Sequence, residues 1–248
     1  MRLTLAEPKL FKDSINIISD LVSEVQISFE KDSLEIVAMD PANVAMVVFR
    51  MFASSFSEYE LKKAERISIN LAMLKQVLRR IKGSETLTMT TSESKLEIRL
   101  KAATTRTFSL PIIDSDDEET RVPDLEFPVS VALDSSALND AIEDVDVISD
   151  SVAFIVDDGT FTLHAEGDLS HVTIEMPKSE EIKIVVEASS NPIRSKYSVE
   201  YLKKMIQGSK LADRAVVHFN KDYPLKIDYT TVDVLSMVFI LAPRVDND

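Results

Sequence analysis

The chain has 248 residues, of which 42 are acidic and 28 are basic, giving a formal net charge of −14. This length is sufficient for one or two domains with substantial cores, and the acidic balance argues against general adhesion to nucleic acids or membranes. Cysteine is absent, which excludes disulfides, thiolate metal sites and cysteine nucleophiles and suits a reducing compartment.

The N-terminal sequence MRLTLAEPKLF lacks the long apolar core of a signal peptide. The longest unbroken apolar run is VAMVVF at residues 44–49, which is too short to cross a membrane. We therefore expect a chain with neither a signal peptide nor a membrane span. The first predicted helix lies near residues 8–21 and carries Lys9 and Lys12, and two alternating strands follow it up to residue 38.

A second helix is predicted over residues 70–83, with Asn70 as the N-cap and Gly83 as the left-handed residue that ends it. Spacings of three and four place one set of side chains on an apolar face, namely Leu71, Leu74, Leu78 and Ile81. The same spacings place Lys75, Arg79 and Lys82 on another face, and Arg80 adds a fourth cation without any acid nearby. The ordinary interpretation is a solvated amphipathic helix, so a functional role requires further evidence.

An acidic, proline-containing segment follows two predicted strands, TLTMTT and KLEIRL. It reads LPIIDSDDEETRVPDLEFP over residues 110–128, which is typical of an extended, solvated connector. The alternative is a divalent metal site, because DSDDEE at residues 114–119 offers several hard oxygen ligands. No glycine supplies the sharp turn of a calcium loop, and mutual repulsion usually leaves such runs open.

The chain then repeats itself. A shift of 127 positions aligns an amphipathic helix and two alternating strands over residues 11–38 with the same pattern over residues 138–165. The aligned apolar pairs are Phe11 with Leu138, Ile15 with Ile142, Val25 with Val152, Ile27 with Phe154, Leu34 with Phe161, Ile36 with Leu163 and Ala38 with Ala165. In the second copy, DDGT at residues 157–160 predicts a hairpin turn, because Gly159 tolerates positive φ.

The basic helix is echoed as well, by YSVEYLKKMIQGSKL at residues 197–211. Its apolar stripe consists of Val199, Leu202 and Ile206, its cations are Lys203, Lys204 and Lys210, and the strands AVVHFN and LKIDYT follow it. The sequence therefore predicts an α+β fold of two homologous domains, each with two helices laid on an antiparallel sheet. We expect domain 1 over residues 1–110, a connector over 111–127 and domain 2 over 128–248.

Four segments carry a resemblance to a known family: VAMDPANVAMV at residues 37–47, NLAMLKQVL at 70–78, FNKDYPLKIDY at 219–229 and LAPRV at 241–245. With the two repeated halves and the connector, they make the whole chain similar to the DNA sliding clamps of archaea and eukaryotes, the proliferating cell nuclear antigen family. The resemblance implies a ring of three subunits and six similar domains. In such a ring the sheets form the outer wall, and the helices line a hole through which duplex DNA passes.

The resemblance also implies the partners. Such rings tether DNA polymerase, flap endonuclease, ligase and other replication and repair proteins, and an ATP-driven clamp loader opens and closes them. They catalyse nothing, so neither a cofactor nor a metal is expected. The implied location is the cytoplasm with the chromosome in an archaeon, or the nucleus in a eukaryote.

On this view the basic helices meet the phosphates of DNA, which carry no base information. The expected DNA-facing residues are Lys9, Lys12, Lys75, Arg79, Arg80, Lys82, Lys203, Lys204 and Lys210. The helix at residues 134–146 departs from the pattern, because it contains five acids and no base. Two explanations compete: its acids, Asp144 and Asp146 among them, point away and pair with a neighbouring subunit, or the ring holds DNA loosely and off-centre.

The resemblance further implies a pocket for a short partner peptide. The matching positions are Met39, Val44, Val122, Pro123, Pro224, Ile240, Ala242 and Pro243, which are small or flexible apolar groups suited to aromatic anchors. Thr120 stands where an aliphatic residue is usual, and Ile240 stands where eukaryotic relatives often have tyrosine. For Met39 and Val44 individually, ordinary core packing is an equally good interpretation.

Ring closure is expected through edge strands of neighbouring subunits, since unpaired edges are normally blocked. The matching edges are TTRTFSL at residues 104–110 and HVTIEM at 171–176, and head-to-tail pairing with a closing rotation satisfies both. The side chains expected at this interface are Arg106, Phe108, Leu110, Val172, Ile174 and Met176. The sequence leaves open whether the three subunits are identical or paralogous.

Two other functional classes compete with this one. His164, His171 and His218 lie in strand-like segments without HExxH spacing, and the four glycines form no phosphate-binding loop, so an enzyme has little support. The best enzymatic alternative is a metal-dependent nuclease that uses Asp116 and Asp117. The third class is a clamp-like accessory subunit with weak DNA contact, which the acidic helix at 134–146 keeps open.

Overall fold

The computed structural model describes residues 1–92, 94–114, 120–187 and 192–244. The connector acids Asp116 and Asp117, on which the metal-site alternative depends, lie outside the described residues, and so does Val245 of the LAPRV segment. Among the described residues, no helix combines the length and the apolar character that a membrane span requires.

The chain divides into two compact units. The first comprises residues 1–41, 47–122 and 231–237, and the second comprises 42–46, 123–230 and 238–248. Each unit therefore takes most of its residues from one half of the chain, and each receives a short segment from the other half. The predicted boundaries at residues 110 and 128 stay a prediction.

The first half contains two α-helices and nine strands in the described residues. The helices are α1 (Lys9–Ile18) and α2 (Leu71–Leu78). The strands are β1 (Arg2–Leu5), β2 (Glu24–Phe29), β3 (Ser33–Met39), β4 (Ala45–Phe52), β5 (Glu58–Glu60), β6 (Glu65–Asn70), β7 (Thr86–Ser92), β8 (Lys95–Lys101) and β9 (Thr105–Pro111). The strand order is β5-β1-β7-β8-β9 in one sheet, and β4-β3-β2-β6 forms a second run of neighbouring strands.

The second half repeats this arrangement. Its helices are α3 (Ser135–Asp146) and α4 (Val199–Met205), and a 3-10 helix over Ile206–Lys210 continues α4. Its strands are β10 (Val129–Asp134), β11 (Ser151–Asp157), β12 (Thr160–Glu166), β13 (His171–Pro177), β14 (Lys183–Val186), β15 (Ile193–Ser198), β16 (Arg214–Phe219), β17 (Leu225–Thr231) and β18 (Leu235–Leu241). The strand orders are β14-β10-β16-β17-β18 and β13-β12-β11-β15.

The two halves thus share one topology, strand for strand and helix for helix, and the predicted internal repeat is confirmed. The strand pairs are antiparallel, as in β1 with β7 and β10 with β16. All seven apolar pairs aligned by the 127-residue shift are buried, and most of them are completely inaccessible. The repeated apolar pattern therefore places matched side chains in the core of each domain. Their burial stabilises the domain, because apolar area is removed from water.

Helix α2 forms where the sequence predicts it. The side chain of Asn70 accepts a hydrogen bond from the backbone N–H of Met73 at 3.2 Å, which confirms the N-cap. Leu71, Leu74 and Leu78 are buried. The helix ends at Leu78, however, and Gly83 takes its left-handed conformation (φ +51°) in the turn that follows rather than at the helix end. The expected C-terminus was therefore wrong, and the last cations lie beyond the helix.

Two further backbone features depend on particular residues. Asp158 and Gly159 both have positive φ between β11 and β12, as a tight hairpin turn requires, so the turn predicted at residues 157–160 is confirmed. A Cβ on Gly208 would lie 2.3 Å from the ring of Tyr229, so only glycine lets the 3-10 helix after α4 approach β17 this closely.

Candidate nucleic-acid interface and protein-binding surfaces

A cluster of exposed cations lies in the segment that follows α2, residues 79–85, which we call the basic turn. Arg79, Arg80 and Lys82 are exposed, and within the described part of the chain none of them forms an ion pair. Backbone hydrogen bonds from Arg80 to Val77 and from Ile81 to Leu78 keep the first residues of this turn close to the helix end. Three exposed positive charges without an ion-pair partner among the described residues therefore lie on one short segment, a suitable arrangement for phosphate groups.

Lys75 and Lys203 occupy a different environment, because each is held against the end of the preceding helix. The ammonium of Lys75 donates to Ser19 Oγ at 2.8 Å and lies 3.2 Å from the carboxylate of Asp20. The ammonium of Lys203 lies 2.6 Å from the carboxylate of Asp146. In both units the lysine joins two helices, so its charge is partly compensated before any ligand arrives.

Among the described residues, two of the remaining predicted cations form ion pairs on their own helix and two do not. Lys9 pairs with Asp13 at 2.9 Å and Lys204 pairs with Glu200 at 3.2 Å, both one turn apart on a helix. Such exposed pairs are weak, so these lysines can exchange partners readily. Lys12 and Lys210 form no ion pair with any residue that the structure describes.

The acidic helix forms as predicted, as α3 with Asp134 at the N-cap position. Its apolar face is buried, while Asp140, Glu143 and Asp144 are exposed. The carboxylate of Asp146 pairs with Lys203 of the same chain at 2.6 Å, so this acid counteracts one cation of α4. Pairing of the acids with a neighbouring subunit stays a prediction.

The C-terminal segment of the predicted peptide pocket is fixed by backbone bonds in the second unit. The N–H of Ala242 donates to the carbonyl of Val44 at 2.9 Å, and the N–H of Arg244 donates to the carbonyl of Lys196 at 2.7 Å. The guanidinium of Arg244 also pairs with Asp150 at 2.9 Å. Ala242 and Pro243 between these anchors are half-buried, so they offer an ordered apolar surface.

The other pocket residues differ in exposure. In the second unit Pro224 is half-buried and Pro123 is exposed, whereas Ile240 is only 8% exposed and so is mainly a core residue. In the first unit Met39 and Val122 are 36% and 48% exposed, which is high for apolar side chains. For Met39 this exposure argues against ordinary core packing, one of the two interpretations that the sequence left open.

Both strands predicted for ring closure lie at sheet edges. Strand β9 is the last of its sheet and pairs with β8, and β13 is the last of its sheet and pairs with β12. The two strands show the same alternation of exposure, with Phe108 and Ile174 half-buried and Leu110 and Met176 buried. Each presents an edge that can accept a further strand.

One contact at the β9 edge was not predicted from the sequence. The guanidinium of Arg106 is bound by Glu85, at 2.6 and 2.8 Å from its two carboxylate oxygens, and also donates to the carbonyl of Arg80 at 3.0 Å. Glu85 carries no motif that distinguishes it from a surface acid in a turn. Only the fold brings this glutamate, some twenty residues away along the chain, to the edge strand.

The histidines are engaged in surface contacts. His164 lies 2.9 Å from Thr173 and 3.1 Å from Glu166, and the hydrogen bond to His164 is the largest cause of the lowered pKa of Glu166. His218 lies 2.9 Å from Asp228. No group of three or more potential metal ligands occurs among the residues that the structure describes.

These features define the class of protein: two tandem copies of one α+β domain, with exposed cations concentrated after one helix and with β9 and β13 each at a sheet edge. Residues 1–118 match the family model described as "Proliferating cell nuclear antigen, N-terminal domain", and residues 121–244 match the corresponding C-terminal domain. The chain therefore belongs to the proliferating cell nuclear antigen family.

Individual relatives agree over the whole length. A protein of Nanoarchaeum equitans named DNA polymerase sliding clamp is 32% identical over 99% of this chain and 100% of its own length. A protein of Pyrococcus abyssi with the same name is 34% identical over 96% of each chain. Among solved structures, the clamp of Thermococcus kodakaraensis matches with a TM-score of 0.89 and 26% identity, covering 98% of this chain and 99% of the other. A complex of two paralogues from Sulfolobus tokodaii, PCNA2 and PCNA3, matches with a TM-score of 0.88, 25% identity and the same coverage.

Proposed function

We propose that this chain is a subunit of a DNA polymerase sliding clamp, a ring that encircles duplex DNA and keeps replication enzymes on their template. The observation that carries the proposal is the basic turn, where Arg79, Arg80 and Lys82 are exposed and form no ion pair with a described residue, within an otherwise acidic chain. Full-length relatives that bear this name support it. The function is one of binding and tethering, and it requires no catalytic residue and no cofactor.

DNA is held through its phosphates. Arginine and lysine side chains contact phosphate oxygens without reading bases, which a clamp needs because base-specific contacts would stop it at particular sites. Each phosphate contact releases condensed counterions and contributes a slope of about −0.9 to the dependence of log affinity on log salt. We assign the strongest contacts to Arg79, Arg80, Lys82 and Lys12, and weaker ones to the lysines that are already paired.

The ring closes by pairing β9 of one subunit with β13 of the next. Both are edge strands with matched alternation, so pairing them in a closed head-to-tail ring leaves neither edge open. The interface side chains are then Arg106, Phe108 and Leu110 on one strand and Val172, Ile174 and Met176 on the other. The paralogous complex of Sulfolobus tokodaii supports association between subunits of this fold.

Partner enzymes dock through short peptides with apolar and aromatic anchors. The candidate positions are Met39 and Val122 in the first unit, and Val44, Pro123, Pro224, Ala242 and Pro243 in the second. Two observations support these positions: apolar side chains are exposed, and backbone hydrogen bonds order the C-terminal segment. A rigid apolar surface binds an anchor at a low entropic cost. We expect polymerase, flap endonuclease, ligase and the clamp loader to compete for it. The relatives are archaeal proteins, so we assign the chain to the cytoplasm, where an archaeal chromosome lies.

The test combines a mass measurement in solution with retention on DNA. A closed ring of three subunits has three times the chain mass of 27.7 kDa, stays on a closed circular duplex after loading and slides off the same duplex once it is linearised. Equal retention on circular and linear DNA contradicts encirclement.

A second candidate is a subunit of a mixed ring with weak DNA contact of its own. The acidic α3 and the Asp146–Lys203 pair favour it, because they reduce the positive charge of the second unit. In that case the purified chain stays monomeric or dimeric, and it enters a three-subunit ring only when paralogous chains are added.

A further inference from the structure

The carboxylate of Glu85 is enclosed, with 8% of its side chain exposed, and it forms an ion pair with Arg106. It accepts two hydrogen bonds from Arg106 and a third, at 2.8 Å, from the backbone N–H of Lys82. The Lys82 bond is the largest cause of a lowered pKa for Glu85, and Arg106 lowers it further. The carboxylate is thus ionised and fully bonded.

This carboxylate joins two segments to which the proposed function gives separate roles. Glu85 is the last residue of the basic turn, and its hydrogen bond from the Lys82 N–H orders that turn after α2. Through Arg106 it fixes β9, whose free edge is proposed to meet the next subunit. The same Arg106 nitrogen also donates to the carbonyl of Arg80, so the turn and the strand are joined at two points.

We propose that Glu85 is a positioning residue for ring closure, which holds the β9 edge in the geometry that pairs with the next subunit and links that edge to the DNA-facing basic turn. The inference rests on the proposed clamp function. Arg106 is the side chain through which Glu85 acts: one guanidinium nitrogen lies 2.8 and 2.6 Å from the two carboxylate oxygens, and this contact is charge-assisted.

The physical reason is preorganisation. An edge strand that must pair with another chain loses conformational freedom on association, and a strand that is already fixed loses less. Arg106 lies in β9, and its side chain is only 26% exposed because it folds back onto the basic turn. Without Glu85, this arginine would be free to extend, and β9 would keep its hydrogen bonds to β8 alone.

The chain offers a matched control at the opposite edge of the same sheet. Glu58, in edge strand β5, also accepts hydrogen bonds from an arginine, Arg2 at 2.9 Å, and from the Thr4 hydroxyl at 2.8 Å. Its pKa is also lowered, chiefly by the Thr4 bond. E58Q therefore removes a similar charge from the same sheet without touching β9.

The experiment measures the subunit dissociation constant of the full-length chain by sedimentation for wild type, E85Q, E85D, R106A and E58Q. We expect E85Q to raise the dissociation constant at least about tenfold, because it weakens charge-assisted hydrogen bonds. E85D, which keeps the charge, should restore part of the loss. R106A, which removes the donor to both Glu85 and the Arg80 carbonyl, should resemble E85Q. E58Q should associate like wild type.

A pH series tests whether the ionised carboxylate of Glu85 is the group that stabilises the ring. Because the folded pKa of Glu85 is lowered, its contribution is present above the usual value of 4.5 and is lost as pH falls through the folded pKa. The difference between wild type and E85Q should therefore shrink below pH 4.5. Hydrogen exchange of the backbone amides provides a second measurement. We expect the amides of β9 and the basic turn to exchange faster in E85Q than in E58Q.

Three results overturn the inference: E85Q rings as stable as wild type, equal weakening by E58Q, or a difference between wild type and E85Q that does not depend on pH. If the wild-type chain forms no ring, alone or with paralogues, then the proposed function itself fails. In that case the hydrogen-exchange comparison still reports whether Glu85 orders β9.

Discussion

The two halves of this chain share one fold but carry opposite charge on their helices. In the first half, residues 9–18 and 71–82 contain six basic residues and one acid, whereas in the second half residues 135–146 and 199–210 contain three basic residues and five acids. The buried apolar positions match throughout. The comparison teaches that the repeated fold depends on the buried pattern, while the exposed faces of the same helices are free to diverge.

The divergence is sharpest after the second helix of each half. An offset of 128 places Gln207 where the first half has Arg79, and Gly208 where it has Arg80. Arg80 is exposed, but Gly208 is buried against the ring of Tyr229, so no cation fits at the second position. At this position the second unit therefore has a close backbone contact with Tyr229, where the first half has the charge of Arg80.

One feature is common to both halves. Lys75 and Lys203 correspond at the same offset, and each binds the end of the preceding helix, at Ser19 and Asp20 in one half and at Asp146 in the other. The equivalent interhelical contact in both copies indicates a structural role for these two lysines. The cations available for DNA are therefore fewer than the sequence suggests.

The largest effect should come from removing the basic turn. We expect R79A/R80A/K82A to lower affinity for a short linear duplex by about two orders of magnitude at 0.1 M salt, and to reduce the salt slope by about 0.9 for each phosphate that is no longer neutralised. The matched variant K203A/K204A/K210A should lose much less affinity, because two of its lysines are already paired. Equal losses of affinity, measured by fluorescence anisotropy across a salt series, contradict the assignment of DNA binding mainly to the first unit.

Neutralising the acidic helix should act in the opposite direction. D140N/E143Q/D144N removes three exposed charges, each worth about 0.4 kcal/mol against a phosphate roughly 10 Å away in water, so duplex affinity should rise up to about tenfold at low salt. The control E60Q/E97Q/D157N changes net charge equally on strands. If both variants raise affinity by the same factor, net charge rather than the position of α3 controls binding.

The helix caps of the two halves should differ in their contribution to stability. Asn70 bonds the Met73 N–H, so N70A should lower the free energy of unfolding by about 1 kcal/mol. Ser198, at the corresponding position before α4, makes no such side-chain bond. We therefore expect S198A to change the free energy of unfolding by only about a few tenths of a kcal/mol. Hydrogen exchange of the amides in each helix measures both effects, and equal effects would remove this difference between the halves.

The smallest expected effect concerns the ion pair in the second half. D146N releases Lys203, and we expect duplex affinity to rise two- to threefold, because exposed pairs of this kind are individually weak. D13N provides the comparison in the first half, where it releases Lys9. A lower affinity for D146N than for wild type would mean that Asp146 holds Lys203 in a productive position for DNA.

Much of the fold was predictable from the sequence, for local reasons. The 127-residue repeat, the strands that flank each helix, the Asn70 cap and the tight turn at Asp158 and Gly159 follow from periodicity and turn chemistry, which neighbouring residues specify. The helix end after Leu78 was not predictable, because Gly83 suits either a helix end or a later turn. Packing, rather than propensity, decides between the two.

What the sequence by itself determined is therefore the duplicated α+β architecture, the family, and the concentration of basic residues near the second helix. Tertiary structure decided which of those charges remain available, because ion pairs such as Lys203 with Asp146 join residues that are distant along the chain. It also decided the contact of Glu85 with Arg106 in β9, which no local pattern records. The physical reason is that apolar periodicity is a property of a single segment, whereas charge compensation depends on which segments the fold brings together.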